Sequence, residues 1–348
     1  MMSDIQLLKD DEVLYFLNNE LSNDDYHKET AHISGTSLWE IYQTCGAKWK
    51  YKQEKEKQSR ALVFGTAAHA NHLEPEVFDR EYFRMPEKSD FITRNEKGEI
   101  VENELFITSM EGAKAFLKKH GVSGYSKMKE AELIETVANT ADALNIEGVT
   151  FWHDVVARAE KERGEREAVR GQDFDIIKEM RQTLFNDEVF KYYFVDGTHE
   201  ISIFFSFMGV RVKVRLDWVS PHADLADYKT TDNGNPERFT RKCFDLGYPL
   251  KMALQREGFK AAFKRAPRKV SLITQEKESP YLVTPFDLSR KTLLIGYAQL
   301  REALAMYKYA MESGIWSGYN GGNVVDLDPP FYVERLYEHL WKDEKTSK

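Results

Sequence analysis

The stretch EISIFFSFMGVRVKVRLDWVSPHADLADYKTT, residues 200–231, decides the fold of this chain. Polar and apolar residues alternate over residues 200–207 and again over residues 210–219, and this period of two is typical of β-strands. Gly209 marks the turn between the two strands. A third strand is predicted over residues 223–230, after a Ser-Pro-His turn. The stretch therefore predicts three strands in meander order at the centre of the fold.

Patterns on both sides of this centre predict further elements. Ser34 is a candidate N-cap for one helix, and Asn235 followed by Pro236 starts another. Helices are predicted over residues 36–57, 61–73, 236–246, 249–263 and 288–312, and strands over residues 268–275 and 281–285. Residues 1–30 are acidic and polar, and are predicted to be an irregular lead-in. Residues 31–348 are predicted to form one domain, with a charged helical insertion at about residues 111–186.

Composition bounds the class of protein. Of the 348 residues, 42 % are apolar and 13 % are aromatic, which is enough to bury a sizeable core. Cys45 and Cys243 are too few for a disulfide framework, a four-cysteine zinc ribbon or a four-cysteine iron–sulfur cluster. No apolar run is as long as a membrane span requires, and the N-terminus lacks a signal-peptide pattern. We therefore expect a folded cytoplasmic protein without a membrane segment.

The net charge of -8 is mildly unfavourable to a nucleic-acid ligand. Net charge describes the whole surface, however, whereas phosphate binding needs only a local basic strip. An acidic cluster that holds metal ions also contributes negative charge. The charge balance therefore leaves a nucleic-acid partner open.

Acidic side chains and a lysine occupy matching positions on the second and third predicted strands. Side chains alternate between the two faces of a strand. Asp217 is therefore on the face of its strand that does not carry the apolar residues, and Asp227 and Lys229 share one face of the third strand. If the two strands pair as a hairpin, the carboxylates converge beside Lys229. Such a set can bind Mg²⁺ or Mn²⁺ for phosphodiester hydrolysis, with Lys229 orienting or deprotonating water or stabilising the transition state. Spacing alone, however, favours a salt-bridge ladder on an exposed sheet face.

A histidine on the helix predicted over residues 61–73 is a further candidate. Gly65, His69 and Leu73 lie on one face of this helix, and Gly65 leaves room for another backbone or for DNA. His69 is a candidate metal ligand or phosphate contact. The alternative is a satisfied core or surface histidine, which is the interpretation preferred for neighbouring His72.

Basic residues are candidates for contacts with a phosphate backbone. Arg215 shares a strand face with Asp217. The other candidates form two clusters, namely Arg238, Arg241 and Lys242, and Lys260, Lys264, Arg265, Arg268 and Lys269. A solvated charged face is the alternative for these clusters. No sequence-reading module is apparent, which favours recognition of DNA ends or DNA structure over recognition of a base sequence.

Three stretches resemble, in order and spacing, the phage-type exonuclease VIII (RecE-like) family of the PD-(D/E)XK nuclease superfamily. They are ALVFGTAAHANHLEPEVFD (residues 61–79), VRLDWVSPHADLADYKTTDNGNPERF (214–239) and GYPLKMALQREGF (247–259). The resemblance implies an α/β (α+β) fold with a mixed central sheet flanked by helices. It also implies a metal site and a catalytic lysine, which fall on His69, Asp217, Asp227 and Lys229. Glu200 is a candidate extra acidic ligand, with a simple exposed position on its strand as the alternative.

Two features depart from the family pattern. Leu216 stands where the motif has a proline before the first aspartate, a change that the family often tolerates. The helix after the sheet usually carries a Gln-x-x-x-Tyr pair, and those positions fall on Lys251 and Gln255. The pair is expected to position the nucleophile or the DNA end, and Lys251 is a candidate phosphate contact in its place.

The activity that the resemblance implies is Mg²⁺- or Mn²⁺-dependent exonucleolytic cleavage of DNA, acting on double-stranded ends in phage-type recombination. It also suggests a homo-oligomer, because relatives form rings around DNA, and a single-strand annealing protein as a partner. Two alternatives stay open. One is an endonuclease or single-strand-specific nuclease of the same fold, and the other is a DNA-binding relative without catalysis.

Overall fold

A mixed β-sheet forms the centre of the protein, as seen in a computed structural model that describes residues 12–17, 20–53, 60–94, 96–97, 100–101 and 103–342. The strands are β1 (Val13–Phe16), β2 (Ile33–Ser34), β3 (Tyr82–Met85), β4 (Thr93–Arg94), β5 (Ile100–Val101), β6 (Phe106–Ile107), β7 (Thr150–Phe151), β8 (Glu167–Arg170), β9 (Thr198–Phe207), β10 (Val210–Val219), β11 (Asp224–Thr231), β12 (Lys269–Glu276) and β13 (Val283–Asp287). The α-helices are Asn23–Lys28, Gly35–Gln43, Gly46–Gln53, Arg60–Leu73, Pro75–Glu81, Met110–Lys119, Glu130–Ala143, Trp152–Arg163, Gly171–Asn186, Glu188–Val195, Pro236–Asp245, Tyr248–Phe263, Arg290–Ser313, Phe331–Leu336 and His339–Lys342. Short 3₁₀ helices are Lys88–Phe91, Tyr125–Lys127 and Tyr319–Gly322.

The strands of the central sheet follow the order β1-β9-β10-β11-β12-β13, with β2 paired to β10. The strands β9, β10 and β11 are antiparallel neighbours in the predicted meander order. Met208 and Gly209 form the turn between β9 and β10, and both adopt the positive φ that a tight hairpin favours. The strands β11 and β12 run parallel, and two helices cross over between them. The sheet is mixed and flanked by helices, so the predicted α/β (α+β) fold is confirmed.

Helices cover both faces of the sheet. On one face, a buried cluster that includes Val212 and Leu216 packs under three helices, which are Gly35–Gln43, Tyr248–Phe263 and Arg290–Ser313. On the other face, Trp218, Tyr228 and Ile273 are buried against the helices Arg60–Leu73 and Gly171–Asn186. The alternating apolar residues of β10 are therefore core residues, and helices cover the sheet on both of its faces.

The sheet opens along one side of β10. Near its start, β10 pairs with β2 at Val212 and Lys213, and at its end it pairs with β11 at Trp218 and Val219. Between these pairs, residues 214–217 have no strand partner on this side within the described ranges. Backbone groups along such an opening must find partners other than a ladder. Polar side chains can therefore enter the sheet here.

The segment before the sheet is more regular than predicted. Strand β1 pairs with β9, and Ser22 caps the helix Asn23–Lys28 by accepting a hydrogen bond from the Asp25 N–H. The buried ammonium of Lys213 anchors this segment, since it donates to the Tyr26 carbonyl at 2.7 Å. The predicted irregular lead-in is therefore wrong at Val13–Phe16, which is a strand, and at Asn23–Lys28, which is a helix. Residues 1–11 and 18–19 of the lead-in lie outside the described residues.

The predicted insertion, residues 111–186, divides into two parts. Its first two helices, Met110–Lys119 and Glu130–Ala143, enclose a small core of their own. The helix Gly171–Asn186 instead belongs to the core under the sheet, where the Ile177 carbonyl accepts a hydrogen bond from Asn71 Nδ2 at 3.0 Å. This last helix is therefore part of the central fold. The single domain over residues 31–348 stays a prediction.

Predicted helix starts agree with the structure. The Ser34 hydroxyl accepts a hydrogen bond from the Ser37 N–H at 3.3 Å, and Asn235 caps the helix that begins at Pro236. Within the ranges that the structure describes, no helix is both long enough and apolar enough to cross a membrane.

Close packing of two helices leads to a stability prediction. A Cβ at Gly296 would stand 2.1 Å from the Pro249 carbonyl oxygen, and backbone cannot yield as a flexible side chain can. We expect Gly296→Ala to lower the free energy of unfolding by about 1–3 kcal/mol. The matched control is Gly112→Ala, because this helical glycine has room for a methyl group and alanine should stabilise by about 0.5–1 kcal/mol. Chemical denaturation measures both, and an unchanged Gly296→Ala variant would contradict the described packing.

Candidate active site

The predicted site residues meet where the sheet opens, and they line a cleft of about 460 Å³. They come from four elements of the fold: Asp217 from β10, Asp227 and Lys229 from β11, Glu200 from β9, and His69 from the helix Arg60–Leu73. The hairpin of β10 and β11 therefore brings the two aspartates and the lysine together, as the alternation of side chains predicts.

Asp217 is the residue around which the others gather. Its Oδ2 accepts a hydrogen bond from the Tyr228 N–H at 2.8 Å, which holds the carboxylate inside the sheet opening. The same oxygen lies 2.7 Å from His69 Nε2 and 3.7 Å from Lys229 Nζ. The backbone of β11 thus fixes the Asp217 carboxylate of β10, and His69 and Lys229 each place a cation beside it.

Asp227 faces the helix Tyr248–Phe263. Lys229 Nζ forms an ion pair with its carboxylate, and Gln255 Nε2 donates a hydrogen bond to its Oδ1 at 2.8 Å. Gln255 itself therefore contacts a site acid and holds the Asp227 carboxylate on the side of this helix.

Glu200 enters the site through irregular backbone. Its φ is 54°, in the left-handed region that non-glycine residues rarely adopt. Its Oε1 lies 3.0 Å from His69 Nδ1, and its other carboxylate oxygen pairs with Arg215. The alternation of side chains along β10 is interrupted opposite Glu200. Leu216 and Trp218 are two residues apart and would share a face in a regular strand, but they pack on different faces of the sheet. Glu200 is buried, so the alternative of a simple exposed position is wrong.

A family model matches residues 137–324, which is more than half of the chain, and describes a PDDEXK-like domain of unknown function (DUF3799). The chain belongs to this family. The matched range contains the meander of β9, β10 and β11 and the helix that carries Gln255. Membership supports the PD-(D/E)XK superfamily and, with it, a nuclease acting on DNA.

One solved structure with similarity to this PDDEXK-like domain comes from Eubacterium rectale and is named "Putative exonuclease". The two chains share 12 % sequence identity with a TM-score of 0.39, and the similarity covers 67 % of this chain and 93 % of that chain. At this TM-score, the likeness carries no argument about function. No curated protein matches the chain.

The donor set of this PDDEXK-like domain fits a divalent metal ion. His69, Glu200 and Asp217 each offer a ligand atom, and these atoms lie within 4.8 Å of one another. The two carboxylates are ligands that suit Mg²⁺ and Mn²⁺, and the imidazole adds a nitrogen ligand of the kind that transition metals bind. PDDEXK nucleases use divalent metals, in agreement with this set. Asp227, the remaining predicted ligand, stands beside the group and is held by Lys229 and Gln255.

Burial and charge together set the protonation states of the site. Burial lowers the pKa of His69, but the carboxylates of Asp217 and Glu200 outweigh burial and raise this pKa to about 10. Burial raises the pKa of Asp217, but the charges of His69 and Lys229 outweigh burial and lower it to about 2. Burial and the charge of Asp217 raise the pKa of Asp227. Without metal, an imidazolium therefore balances the carboxylates, and metal ligation requires that its proton leave.

Two of the predicted phosphate contacts, Arg215 and Lys251, line the cleft. Arg215 is ion-paired with Glu200, whereas Lys251 has no ion-pair partner in the part of the chain that the structure describes. Burial and the charge of Lys229 lower the pKa of Lys251 to about 8. Lys251 is therefore a half-buried cation near the acid cluster that lacks a carboxylate of its own.

The other predicted phosphate contacts lie outside the cleft lining. Some are paired with acids, namely Lys242 with Asp232, Lys260 with Glu257, Arg268 with Asp224 and Lys269 with Asp287. The exposed ones are Arg238, Arg241, Lys264 and Arg265. The structure therefore does not bring these two clusters to the acids.

Two further residues lie near the site; the sequence predicted the role of one of them and gave no indication of the other. His72 is buried, with its Nε2 3.1 Å from Gln275 Oε1, so the interpretation of a satisfied core histidine is confirmed. Tyr26, which lines the cleft and has Lys213 Nζ 4.8 Å from its ring centre, was missed. It belongs to the segment expected to be irregular, where no periodic signal pointed to the site.

Protonation of His69 leads to a pH prediction. Because its folded pKa of about 10 exceeds the unfolded value of about 6.5, its contribution to stability is complete below about pH 6.5 and is lost as pH rises towards 10. We expect the wild type to exceed His69→Asn in free energy of unfolding at low pH, and this difference to shrink over that window. Chemical denaturation in chelator measures it. The control is His153→Asn, an exposed histidine, and a difference that grows with pH would contradict the assigned charge.

Proposed function

We propose that this chain is a divalent-metal-dependent DNA nuclease that hydrolyses phosphodiester bonds at DNA ends. The observation that carries the proposal is the meeting of His69, Glu200 and Asp217 next to Asp227 and Lys229 in one cleft. Membership of a PDDEXK-like family supports a nuclease with a divalent metal. We take Mg²⁺ or Mn²⁺ as the metal.

Burial of the acids favours catalysis over a salt-bridge ladder. Asp217 and Asp227 are only 7 % and 3 % exposed, and both lie next to one lysine, Lys229. Burying carboxylates costs free energy that an exposed ladder would avoid. Acids with strongly perturbed pKa values in a cleft are typical of functional sites. A chemical role therefore explains the burial of these acids better than a contribution to stability does.

Each side chain of the cleft has a role in the proposed reaction. When bound, the metal polarises the phosphodiester and activates a water molecule. His69, Glu200 and Asp217 would hold it, with Asp227 as the neighbouring acid. Lys229 places its ammonium beside both aspartates, where it stabilises negative charge that develops on the phosphate or orients the attacking water.

The surrounding residues position these groups and the DNA. Gln255 fixes the Asp227 carboxylate through its hydrogen bond, and Arg215 holds Glu200 through an ion pair. Lys251 offers a cation to the phosphate backbone within the cleft. Further candidates for backbone contacts outside it are Arg238, Arg241, Lys242, Lys260, Lys264 and Arg265.

The RecE-like motifs at residues 61–79, 214–239 and 247–259 support the finer parts of the proposal. They favour an exonuclease of that type, acting on double-stranded ends in phage-type recombination. On the same basis we propose a homo-oligomer, a single-strand annealing protein as a partner and the host cytoplasm as the location. The endonuclease, single-strand-specific and non-catalytic alternatives are outcomes of the experiments below.

A cleavage assay with end-labelled linear duplex tests the site. We expect cleavage with Mg²⁺ or Mn²⁺, none with chelator, and a loss of at least about 100-fold in Asp217→Asn, Asp227→Asn and Lys229→Met, because each removes a charge that acts on the transition state. The matched control is Asp232→Asn, an exposed aspartate on the loop after β11, which should keep the wild-type rate.

The substrate comparison separates the alternatives. An exonuclease degrades linear duplex and leaves a covalently closed circle intact, whereas cutting of the circle would show an endonuclease. Degradation of single strands alone would overturn the double-strand preference. Equal activity in wild type and Asp227→Asn would remove the assigned site, and duplex binding without any metal-dependent cleavage would leave a non-catalytic DNA-binding protein.

The contact of Gln255 with Asp227 gives a second, independent mutation. Gln255→Leu keeps the size of the side chain but leaves the Asp227 carboxylate without this donor. Because residues that orient site acids typically contribute about 10–100-fold to activity or metal affinity, we expect a loss of this size. Gln43→Leu, on an exposed helix position, is the control. A wild-type rate in Gln255→Leu would remove the positioning role.

A further inference from the structure

We propose that the loop joining the first two helices of the insertion is a second DNA-binding site, which holds the phosphate backbone of duplex DNA outside the cleft. This basic loop, residues 118–129, connects the helices Met110–Lys119 and Glu130–Ala143. The inference rests on the proposed function only for the identity of the ligand as DNA. Its position, charge and rigidity come from the insertion itself.

Charge sets this segment apart from the rest of the chain. Residues 113–129 contain five lysines, one histidine and no acidic residue, although the whole chain has a net charge of -8. Four of these lysines are exposed, namely Lys118, Lys119, Lys127 and Lys129. Lys119 is paired with Glu104, and the other three have no carboxylate partner among the described residues. Exposed cations without acidic partners form the local basic strip that a polyanion requires.

The basic loop is anchored on a core of its own. Val122, Tyr125 and Met128 pack against the small core that contains Phe116 and Val137. These anchors recur at every third residue, and the residues between them are exposed. A loop that is already fixed at three points has less conformational freedom to lose when it binds a ligand.

Both helices of the pair end in the same hydrogen-bonded reversal. After the first helix, Gly121 has a φ of 74° and the Val122 N–H donates to the Leu117 carbonyl at 3.0 Å. After the second, the Ile146 N–H donates to the Ala141 carbonyl at 2.8 Å. This motif, in which an apolar residue packs back after the left-handed position, fixes how the chain leaves a helix. The lysines at the end of the first helix and before the second are therefore presented from a defined turn.

The chemistry of the basic loop fits a phosphate backbone better than base edges. Lysine is a flexible point charge that suits phosphate oxygens, and the exposed hydroxyls of Ser123 and Ser126 can donate to the same oxygens. Arginine, asparagine and glutamine, which read base edges in pairs of hydrogen bonds, are absent from residues 113–129. Binding at this loop should therefore be independent of base sequence.

The insertion branches off beside the cleft. Strands β3 and β8 pair in parallel, so residues 86–166 leave the pair after Met85, opposite Arg170, and return at Glu167, opposite Tyr82. Tyr82, the first residue of β3, lines the cleft. We therefore assign the basic loop to the part of the duplex that lies beyond the end held in the cleft.

A binding measurement with the full chain tests this second site. The test variant combines Lys118→Gln, Lys119→Gln, Lys127→Gln and Lys129→Gln. The matched control removes the same charge from four exposed positions of the helix Arg290–Ser313, by Arg290→Gln, Lys291→Gln, Arg301→Gln and Lys308→Gln. Anisotropy of a labelled duplex is recorded in chelator, which prevents metal-dependent cleavage, over a series of salt concentrations.

We expect the basic-loop variant to bind duplex at least about tenfold more weakly at low salt, with a slope of log K against log salt that is shallower by about 2–4 units. The control variant should match the wild type, and both variants should cleave a saturating short duplex at the wild-type rate. Equal affinity and slope in the basic-loop variant and the wild type would overturn the inference. If the variant melts early, the double variant Lys127→Gln with Lys129→Gln replaces it, with an expected slope change of about 2 units.

The same experiment keeps the two proposals apart. A wild type that binds duplex through the basic loop but never cleaves DNA with Mg²⁺ or Mn²⁺ would remove the proposed function and leave the second site in place. A wild type that cleaves DNA, with a basic-loop variant of unchanged affinity and slope, would do the reverse.

Discussion

The hydrogen bond from the Tyr228 N–H to the Asp217 carboxylate is the interaction on which the site depends. Strand β10 pairs with β2 near its start and with β11 only at its end, so the sheet is open between these pairs. A buried backbone N–H needs a partner, and at this opening the partner is an acidic side chain. The same contact holds that carboxylate within reach of His69 and Lys229. The break in the sheet and the position of the acid are therefore one structural feature.

Charge balance explains how so many acids can be buried together. Glu200, Asp217 and Asp227 are all buried, and isolated carboxylates in such a place would be protonated or would destabilise the fold. The imidazolium of His69 lies between Glu200 and Asp217, and the ammonium of Lys229 pairs with Asp227. A divalent cation that replaces the His69 proton would also compensate the carboxylates, with one more positive charge than the proton. In the metal-free protein, the His69 imidazolium thus supplies the positive charge that a bound metal ion would replace.

Sequence patterns predict the strands of this fold better than they predict its irregular points. Alternation locates β9, β10 and β11 and the shared face of Asp227 and Lys229, because period two follows from strand geometry alone. It fails between Leu216 and Trp218, which pack on different faces of the sheet, and at Glu200, which adopts a positive φ that no periodic pattern indicates. The regular structure of the N-terminal segment is not indicated by its sequence either, because the segment is anchored by Lys213, a buried cation far away in the chain. The contact of Gln255 with Asp227 also needed the structure, because it depends on how the helix Tyr248–Phe263 packs beside β11.

The near-neutral site also explains why a net acidic chain is compatible with a DNA substrate. Within the cleft, the carboxylates are matched by nearby cations, so the cleft itself exerts little attraction on a polyanion at a distance. Charges separated by more than about 8–10 Å are screened at physiological salt, and local cations therefore decide where a phosphate backbone settles. The basic loop supplies such cations on a separate core, away from the acids. Because the basic loop binds the phosphate backbone away from the cleft, the acids can stay in position for a metal ion without repelling the rest of the duplex.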